Sequence, residues 1–211
     1  MNAFRSNIMK ARLLIVSCLL AALALCLSFG ATAQEQEQKP KSEKFAALAY
    51  MPHGAGPAMV GAGARVNVDL YVKSYTTDAE AKTLAGALLE GGSEALLKAL
   101  EKKKSIGKIT LTGRVGFYDL KLIRSHKTPE GRRIYAIGDR PVGFLEVYVN
   151  NRSRDYPFGV LQLDLKKNSK GREEGTGALL YAAKIKVLEG NSIELESYGI
   201  DAIRLMGVRK L

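Results

Sequence analysis

The sequence predicts an α+β fold: a curved antiparallel sheet of about eight strands, either open or closed into a barrel-like shape, with a helical hairpin inserted early. Apolar and polar residues alternate in short runs after residue 107, which indicates half-buried strands. Glycines interrupt several of these runs, as a strongly curved sheet requires. Residues 78–104 instead repeat apolar residues at helical spacing, which predicts the hairpin.

The first 33 residues predict a secretory signal peptide. Three cations precede an apolar run over residues 13–27, and small residues follow it at 31–33. The cations are Arg5, Lys10 and Arg12. Because the apolar run is too short to span a bilayer comfortably, we expect cleavage rather than anchoring, and a periplasmic or extracellular location with no transmembrane span. Cleavage after residue 33 leaves 178 of the 211 residues, enough for one domain.

Both cysteines, Cys18 and Cys26, lie in the predicted signal peptide, so the exported domain has neither a disulfide nor a cysteine metal site. A lipoprotein anchored at Cys26 is the alternative, although Leu25 is larger than the residue that normally precedes a lipid-modified cysteine. Loss of the three signal-peptide cations lowers the formal net charge from +11 to +8. Such a charge favours an anionic envelope polymer or lipid headgroup as partner, or it serves solubility alone.

The rest of the chain predicts a polar leader and one domain. Residues 34–44 lack hydrophobic periodicity and predict a disordered leader. We therefore place the β-rich domain at 45–211, beginning with a short edge strand at 45–51. A glycine-rich loop at 54–63 lacks the spacing of a nucleotide-binding loop. Strict alternation over 66–72 predicts a half-buried strand.

The helical hairpin has its own start and stop signals. Thr77 and Glu80 have the spacing of a capping box, Gly91–Gly92 ends the first helix, and Ser93 caps the second. Three lysines at 102–104 follow, where the helix dipole favours cations, and we prefer this reading to nucleic-acid contact.

Several strands contain glycine, and two are apolar on both faces. Glycine inside a strand marks bends or bulges, and five such residues are Gly113, Gly116, Gly143, Gly159 and Gly207. The runs at 144–149 and 178–183 are apolar on both faces, so their outer sides need a cover. The helical hairpin is the element that we expect to cover them.

The sequence contains none of the common catalytic motifs. The exported domain holds only His53 and His126, neither in a zinc-binding spacing, and no serine occupies a nucleophile elbow. The acidic loop after Asp164 fails as a calcium loop because Lys166 stands at a ligand position. We therefore predict no metal, no cofactor and no catalytic residue. The alternative is a small hydrolase or isomerase that uses carboxylates and tyrosines in a barrel-like pocket.

That alternative requires two acids to lie close together in the fold, and the sequence does not predict which acids do so. Its candidates are Asp119, Glu146 or Asp155 with Tyr118 or Tyr156.

Two Asp-Arg-Pro clusters, at 138–144 and 150–160, are candidate binding elements. Their candidate residues are Asp139, Arg140, Arg152, Arg154, Asp155 and Tyr156. Arginine beside an aromatic ring can bind anionic groups, whereas proline after an acid also simply begins a strand. If one strand joins the clusters, they lie about 25 to 30 Å apart and form no common pocket.

A basic hairpin around residues 128–131 is the second candidate. Arg124, Lys127, Arg132 and Arg133 lie close together on strands that should pair. Unless acids from neighbouring strands offset these charges, the hairpin is the predicted contact for an anionic polymer.

Four short motifs resemble a family of secreted bacterial proteins whose activity is uncharacterised. They are DRPVGF at 139–144, RSRDYPF at 152–158, GTGALLYAAKI at 175–185 and IELESYGIDAIRLMGVRK at 193–210. The resemblance implies a bacterial envelope protein and brings no ligand or catalytic residue. The leading hypothesis is a secreted, non-enzymatic module that binds a ligand or partner through its sheet, with no nucleic-acid partner.

Overall fold

The structure, a computed structural model, describes residues 42–51, 64–113, 116–142, 155–188, 192–198 and 202–211. These residues form ten strands and one helical element. The elements are β1 Glu43–Met51, β2 Ala64–Val72, α1 Asp78–Glu101, β3 Gly107–Leu111, β4 Tyr118–Leu120, β5 Leu122–Thr128, β6 Gly131–Gly138, β7 Phe158–Lys167, β8 Glu173–Val187, β9 Ile193–Ser197 and β10 Ile203–Lys210.

The strands form one antiparallel sheet that curves into a nearly closed barrel, which confirms the antiparallel α+β class. Neighbouring strands follow the order β4-β3-β2-β1-β10-β8-β7-β6-β5, and β9 pairs with β8. The first strand was predicted to be an edge, but β1 lies between β2 and β10. It also begins at Glu43, inside the segment predicted to be a disordered leader.

The barrel closes where one residue, Lys121, separates β4 from β5. The Ile106 amide bonds the Leu120 carbonyl, while the Lys121 amide bonds Ile137 in β6, both at 2.9 Å. The chain therefore changes partner strands here, and this stretch forms two strands.

A threonine after β2 pairs with the free edge of β5. The Thr76 amide donates to the Ile123 carbonyl at 2.8 Å, and the Ile123 amide donates to the Thr76 hydroxyl at 2.9 Å. Thr76 is buried, so both of these bonds are shielded from water.

Apolar side chains fill the barrel. Inward positions alternate along the strands, as at Ile134 and Ala136 of β6 and at Leu161, Leu163 and Leu165 of β7, all buried. Burial of each large apolar side chain stabilises the fold by about 1.5–3 kcal/mol. An internal cavity of about 10 Å³ remains, lined by Ala49, Val66, Val68, Leu111, Val142, Leu179 and Ile203.

The helix covers the outer face of β7 and β8. Its capping box is confirmed: the Thr77 amide bonds the Glu80 carboxylate at 3.0 Å, and the Glu80 amide bonds the Thr77 hydroxyl at 3.3 Å. Four buried leucines form the packing face: Leu84, Leu88, Leu96 and Leu100. They join Phe158, Val160, Ala183 and Ile185 in a second apolar cluster. The run at 178–183 is thus covered as predicted, and the run at 144–149 lies outside the described residues.

The structure has one helical element where a helical hairpin was predicted. Its backbone leaves helical geometry at Gly91 and Gly92, and Gly92 has a φ of 65°, which favours glycine. The Ser93 hydroxyl does not serve the predicted cap, because it donates to the Ile185 carbonyl and accepts from the Ile185 amide. The end of β8 extends past β7 here, and Ser93 supplies the hydrogen bonds that β7 would otherwise make.

Two of the glycines predicted to mark bulges lie at irregularities of the sheet. Gly207 has a φ of 57° and sits at a register shift in β10, and Gly159 sits at a shift in β7. Gly113 and Gly116 lie between strands instead, and Gly143 lies outside the described residues. The bulges let the inward-facing alternation continue where the sheet bends.

Candidate functional site

The predicted basic hairpin, β5–β6, distributes its cations over both faces of the sheet. Arg132 shares the alternation of Ile134 and Ala136, which point into the barrel, and Lys127 is its cross-strand partner. Arg124 and Arg133 lie on the opposite face, because alternate residues of a strand point to opposite sides. The four residues therefore do not form one basic surface.

Acids from neighbouring elements already pair with the outward-facing arginines. Arg124 Nη2 lies 2.5 Å from Asp78 Oδ1 at the start of α1, and Arg133 forms an ion pair with Asp164 of β7. Lys127 is exposed and has no acidic partner among the described residues. The alternative in which acids from neighbouring strands offset the hairpin charges is thus confirmed for Arg133, whereas the acid beside Arg124 comes from the helix.

Arg132 is the centre of an ion cluster at one end of the barrel, formed by Glu43, Tyr75, Arg132, Glu173 and Lys210. Its guanidinium binds Glu43 through two bonds of 3.1 Å and Glu173 through two bonds of 2.7 Å. Lys210 Nζ lies 2.5 Å from Glu43 Oε1 and 3.4 Å from Glu173 Oε2. The Tyr75 hydroxyl bonds Glu43 as well. Bidentate contacts of this kind are stronger than single hydrogen bonds between arginine and a carboxylate.

The ion cluster is largely shielded from water and balanced in charge. The Glu43, Glu173 and Arg132 side chains are only 11–19% exposed, and two acids face two cations. Burial raises the pKa of Glu43, but hydrogen bonds from Arg132, Lys210 and Tyr75 outweigh it, so that the pKa lies below its usual value. Burial, and then the bond to Glu43, raise the pKa of Tyr75. Because each charge is matched inside the chain, the cluster serves the fold rather than an anionic ligand.

The same geometry gives the carboxylate-based enzyme no support at this site. Glu43 and Glu173 are close together, yet both bind Arg132, and the lowered pKa of Glu43 is the opposite of what a general acid needs. Asp119 lies in β4 and Asp155 lies just before β7, and Glu146 lies outside the described residues. Within the described ranges, no group of three or more histidine, cysteine or acidic residues could hold a metal ion.

The two Asp-Arg-Pro clusters are neighbours, which corrects the predicted separation of about 25 to 30 Å. Gly138, the first residue of the first cluster, pairs directly with Gly159, near the end of the second, and the Val142 amide bonds the Tyr181 carbonyl at 2.7 Å. The prediction assumed one strand with a cluster at each end. The clusters instead flank the adjoining ends of β6 and β7, while residues 143–154 lie outside the described part.

The first cluster is held by its own chain. Asp139 is buried, with one oxygen 3.8 Å from Lys121 Nζ. Arg140 donates to the Phe117 carbonyl at 2.8 Å, and its guanidinium lies 5.5 Å from the centre of the Tyr118 ring. These contacts favour the structural reading, in which the cluster fixes the turn at the end of β6.

The second cluster connects the start of β7 to β9. The Tyr156 hydroxyl bonds Glu196, which also pairs with Lys186, and the Tyr156 ring meets the Tyr198 ring edge-on at 5.2 Å. Asp155 is exposed. Two further predicted residues, Arg152 and Arg154, lie outside the described residues.

A groove of about 390 Å³ lies on the outer face of β1, β2 and β3. It is lined by lysines that were not among the predicted site residues. Lys44, Tyr71 and Lys108 are cross-strand neighbours in one row. The two ammonium groups lie 4.9 and 5.2 Å from the centre of the Tyr71 ring, within cation–π distance. Lys73, just past the end of β2, lines the same groove. We call these four residues the lysine groove.

The groove is lined by three lysines and by Glu43, whose carboxylate already binds Arg132 and Lys210, and Asp119 is the cross-strand neighbour of Lys108. Lys44 Nζ lies 3.2 Å from Asp69 Oδ2. Lys73 and Lys108 are exposed, and neither has a carboxylate partner in the described part of the chain. The exposed Phe117 ring lies 5.2 Å from Lys108 Nζ and extends the groove with an apolar surface. Lys73 and Lys108 can therefore bind anionic groups without breaking an internal ion pair, whereas Lys44 shares its charge with Asp69.

Only part of this groove had a signal in the sequence. The alternation of β2 placed Tyr71 and Lys73 together on the polar face. Lys44 lay in the segment predicted to be a disordered leader, and the register that brings Lys108 beside Tyr71 is not encoded in any local motif. Strand pairing, which the structure supplies, was the missing information.

Comparison of the chain with protein-family models, curated proteins and solved structures finds no match. The resemblance to secreted bacterial proteins therefore stays a prediction. In the described residues, none of the helical structure has the length and apolar character needed to cross a membrane.

Proposed function

We propose that the protein is a non-catalytic binding module of the bacterial envelope, and that the lysine groove binds an anionic polymer of that envelope. Export through the signal peptide at residues 1–33 is part of the proposal. The observation that carries it is the row of Lys44, Tyr71 and Lys108 on the barrel surface, with Lys73 beside it.

The filled barrel supports binding at the outer surface. A cavity of about 10 Å³ is at the lower limit for one water molecule, whereas small-molecule sites occupy about 300–1,000 Å³. A ligand larger than water therefore meets the outer face of the sheet in this proposal.

Free cations favour the lysine groove over the basic hairpin. A polymer that binds Arg124 or Arg133 must compete with Asp78 or Asp164, which already pair with them. Lys73 and Lys108 offer their charge without such competition. Lys44, which also pairs with Asp69, is two strand spacings from Lys108, about 10 Å, so the two lysines can contact successive anionic groups of one polymer. Since these charges are exposed, salt should weaken the binding steeply.

The test is retention on immobilised heparin across a salt gradient. The groove variant replaces Lys73 and Lys108 with serine, and the matched control replaces Lys166 and Lys167, two exposed lysines at the end of β7. Both variants lose two positive charges. We expect the groove variant to elute at clearly lower salt and the control to elute near the unaltered protein. An equal decrease in both would mean that net charge alone governs retention, and the groove would lose its role.

Two further arms separate the alternatives. An Arg124→Ser, Lys127→Ser variant tests the predicted hairpin while leaving Arg132 and its ion cluster intact. If this variant loses retention and the groove variant does not, the hairpin is the contact. Vesicles with and without anionic lipid form the other arm. Binding to anionic vesicles without retention on heparin would assign the groove to a lipid headgroup.

A further inference from the structure

The second half of β8 and the strand β9 extend beside the barrel, and the hydrogen-bond pattern fixes which groups face outward. Ser93 bonds both the amide and the carbonyl of Ile185, so these groups point away from β9. Ile185 lies opposite Leu195. In an antiparallel pair, the backbone groups of opposite residues point either toward each other or away from each other, so those of Leu195 point away from β8.

Bonds at both ends of β9 agree with this pattern. The Leu188 amide bonds the Ser192 carbonyl at 2.8 Å, and the Tyr198 amide bonds the Ala182 carbonyl at 3.0 Å. Even-numbered residues of β9 therefore bond β8, and Ile193, like Leu195, directs its amide and carbonyl to the open edge. In the described part of the chain, these edge groups of the two residues have no partner.

The side chains of β9 divide by face. Ile193 is 58% exposed and Leu195 45% exposed, on the face shared with Ile185, which α1 covers. Glu194 and Glu196 lie on the opposite face, and Glu194 is exposed. The open edge thus combines free backbone groups, an apolar face and an acidic face.

Several contacts hold β9 in place. The Tyr156 hydroxyl bonds Glu196, and the Tyr181 hydroxyl bonds the Tyr198 carbonyl at 3.1 Å. Ser93 fixes the neighbouring part of β8 to α1. A strand held in its bound conformation loses little freedom when a partner pairs with it, so this edge is preorganised.

The other ends of the described sheet are protected. Thr76 pairs with the edge of β5 at Ile123, the edge from Arg124 onward carries polar and charged residues, and β4 is only three residues long. Proteins cover or shorten edges in this way to prevent association. The edge of β9 has an apolar face over five residues and no strand partner among the described residues, so it is an exception that suits a binding surface.

We infer that β9 binds an extended segment of a partner protein, in which apolar residues alternate with basic ones, as an added strand. Apolar residues would lie beside Ile193 and Leu195, and a basic residue would face Glu194. A second copy of this chain fits poorly, because antiparallel registers that keep the apolar faces together and pair most of β9 place a glutamate opposite a glutamate. The inference does not depend on polymer binding at the lysine groove.

The probe is the synthetic peptide TVKVKVT with a fluorescent label, and TVEVEVT is its matched acidic counterpart. We expect TVKVKVT to bind and to slow hydrogen exchange at the Ile193 and Leu195 amides. Leu195→Pro removes an outward amide without removing a bond to β8, and it should weaken binding at least about tenfold. Leu89→Lys, which alters a similarly exposed leucine on α1, should leave binding unchanged.

A charge exchange gives a second measurement. Glu194→Lys should transfer the preference from TVKVKVT to TVEVEVT, whereas a merely structural role of Glu194 would affect both peptides alike. Failure of TVKVKVT to bind, or equal binding by Leu195→Pro with its fold retained in circular dichroism, would overturn the inference. So would a concentration-dependent dimer that Leu195→Pro abolishes, since β9 would then pair with a second copy.

Discussion

Replacement of Arg132 by methionine tests the ion cluster most directly. Methionine keeps much of the apolar stem of arginine and removes the guanidinium that binds Glu43 and Glu173. Lys210 remains as the only cation of the cluster. Two nearly buried carboxylates then share one ammonium, so one negative charge is left without a match.

The expected loss follows from the burial of these groups. Removing one partner of a buried ion pair costs about 3–5 kcal/mol, and we take the lower figure because the side chains retain 11–19% exposure. For a domain of this size, about 3 kcal/mol corresponds to a decrease in Tm of about 6–12 °C. The decrease should be largest near neutral pH.

The pH dependence identifies charge as the cause. In the unaltered protein the pKa of Glu43 lies below its ordinary value of 4.5, so its contribution to stability is complete above that value and is lost as pH falls through the folded-state pKa. In the Arg132→Met variant, burial without the guanidinium should raise the pKa of Glu43. The penalty of its unmatched charge is then present at neutral pH and relieved as pH falls. The difference in Tm should therefore narrow from pH 7 toward pH 3.

Thermal unfolding followed by circular dichroism between pH 3 and pH 7 measures this difference. Arg133→Met is the matched control, because its pair with Asp164 is about 40% exposed on both sides and should contribute no more than about 1 kcal/mol. A loss of Tm for Arg132→Met that is the same at every pH would refute the electrostatic explanation. A loss no larger than that of Arg133→Met would refute the assigned magnitude.

Two further predictions concern packing and are checked by urea unfolding. Leu100→Ala empties a fully buried position between α1 and the sheet and should cost about 2–5 kcal/mol, whereas Leu89→Ala, at an exposed position of the same helix, should change stability by less than about 0.5 kcal/mol. Gly175→Ala should destabilise the fold, because its Cβ would lie 1.8 Å from the Asp164 carbonyl oxygen, whereas Gly86→Ala meets no atom within 4 Å and should stabilise α1 by about 0.5–1 kcal/mol. Similar effects at the paired positions would contradict these two packing arguments.

Local patterns in the sequence predicted those parts of the fold that local physics determines. The alternation of β2 correctly placed Val68, Leu70 and Val72 in the core, and the spacing of Thr77 and Glu80 correctly predicted the start of α1. Both features depend on residues a few positions apart, so a single sequence contains the whole signal.

The errors concern contacts between distant residues. Serine is a residue type typical of a helix cap, so Ser93 was predicted to be one. Its hydroxyl binds the sheet instead, because β7 ends beside Ile185 and leaves the backbone groups of Ile185 available. The ion cluster joins Arg132 to Glu43, 89 positions away, and Glu43 gave only the signal of a polar leader. No periodicity contains such pairs, because they depend on strand order and register.

The pairing of β1 with β10 is a second seam of the barrel, distinct from the closure at Lys121, and it joins the strands that lie farthest apart in the described sequence. Glu43 and Lys210, 167 positions apart, are neighbours there, and the Leu211 amide bonds the Lys44 carbonyl at 2.9 Å. Bringing together the ends of a flexible segment of that length costs about 4.5 kcal/mol of chain entropy, against about 1 kcal/mol for the short turn between β5 and β6. Hairpins should therefore form early and the seam late, so that β1 and β8 keep open edges until β10 lies between them. The ion cluster includes residues from both strands of the seam, and it locks the barrel only after this slow step is complete.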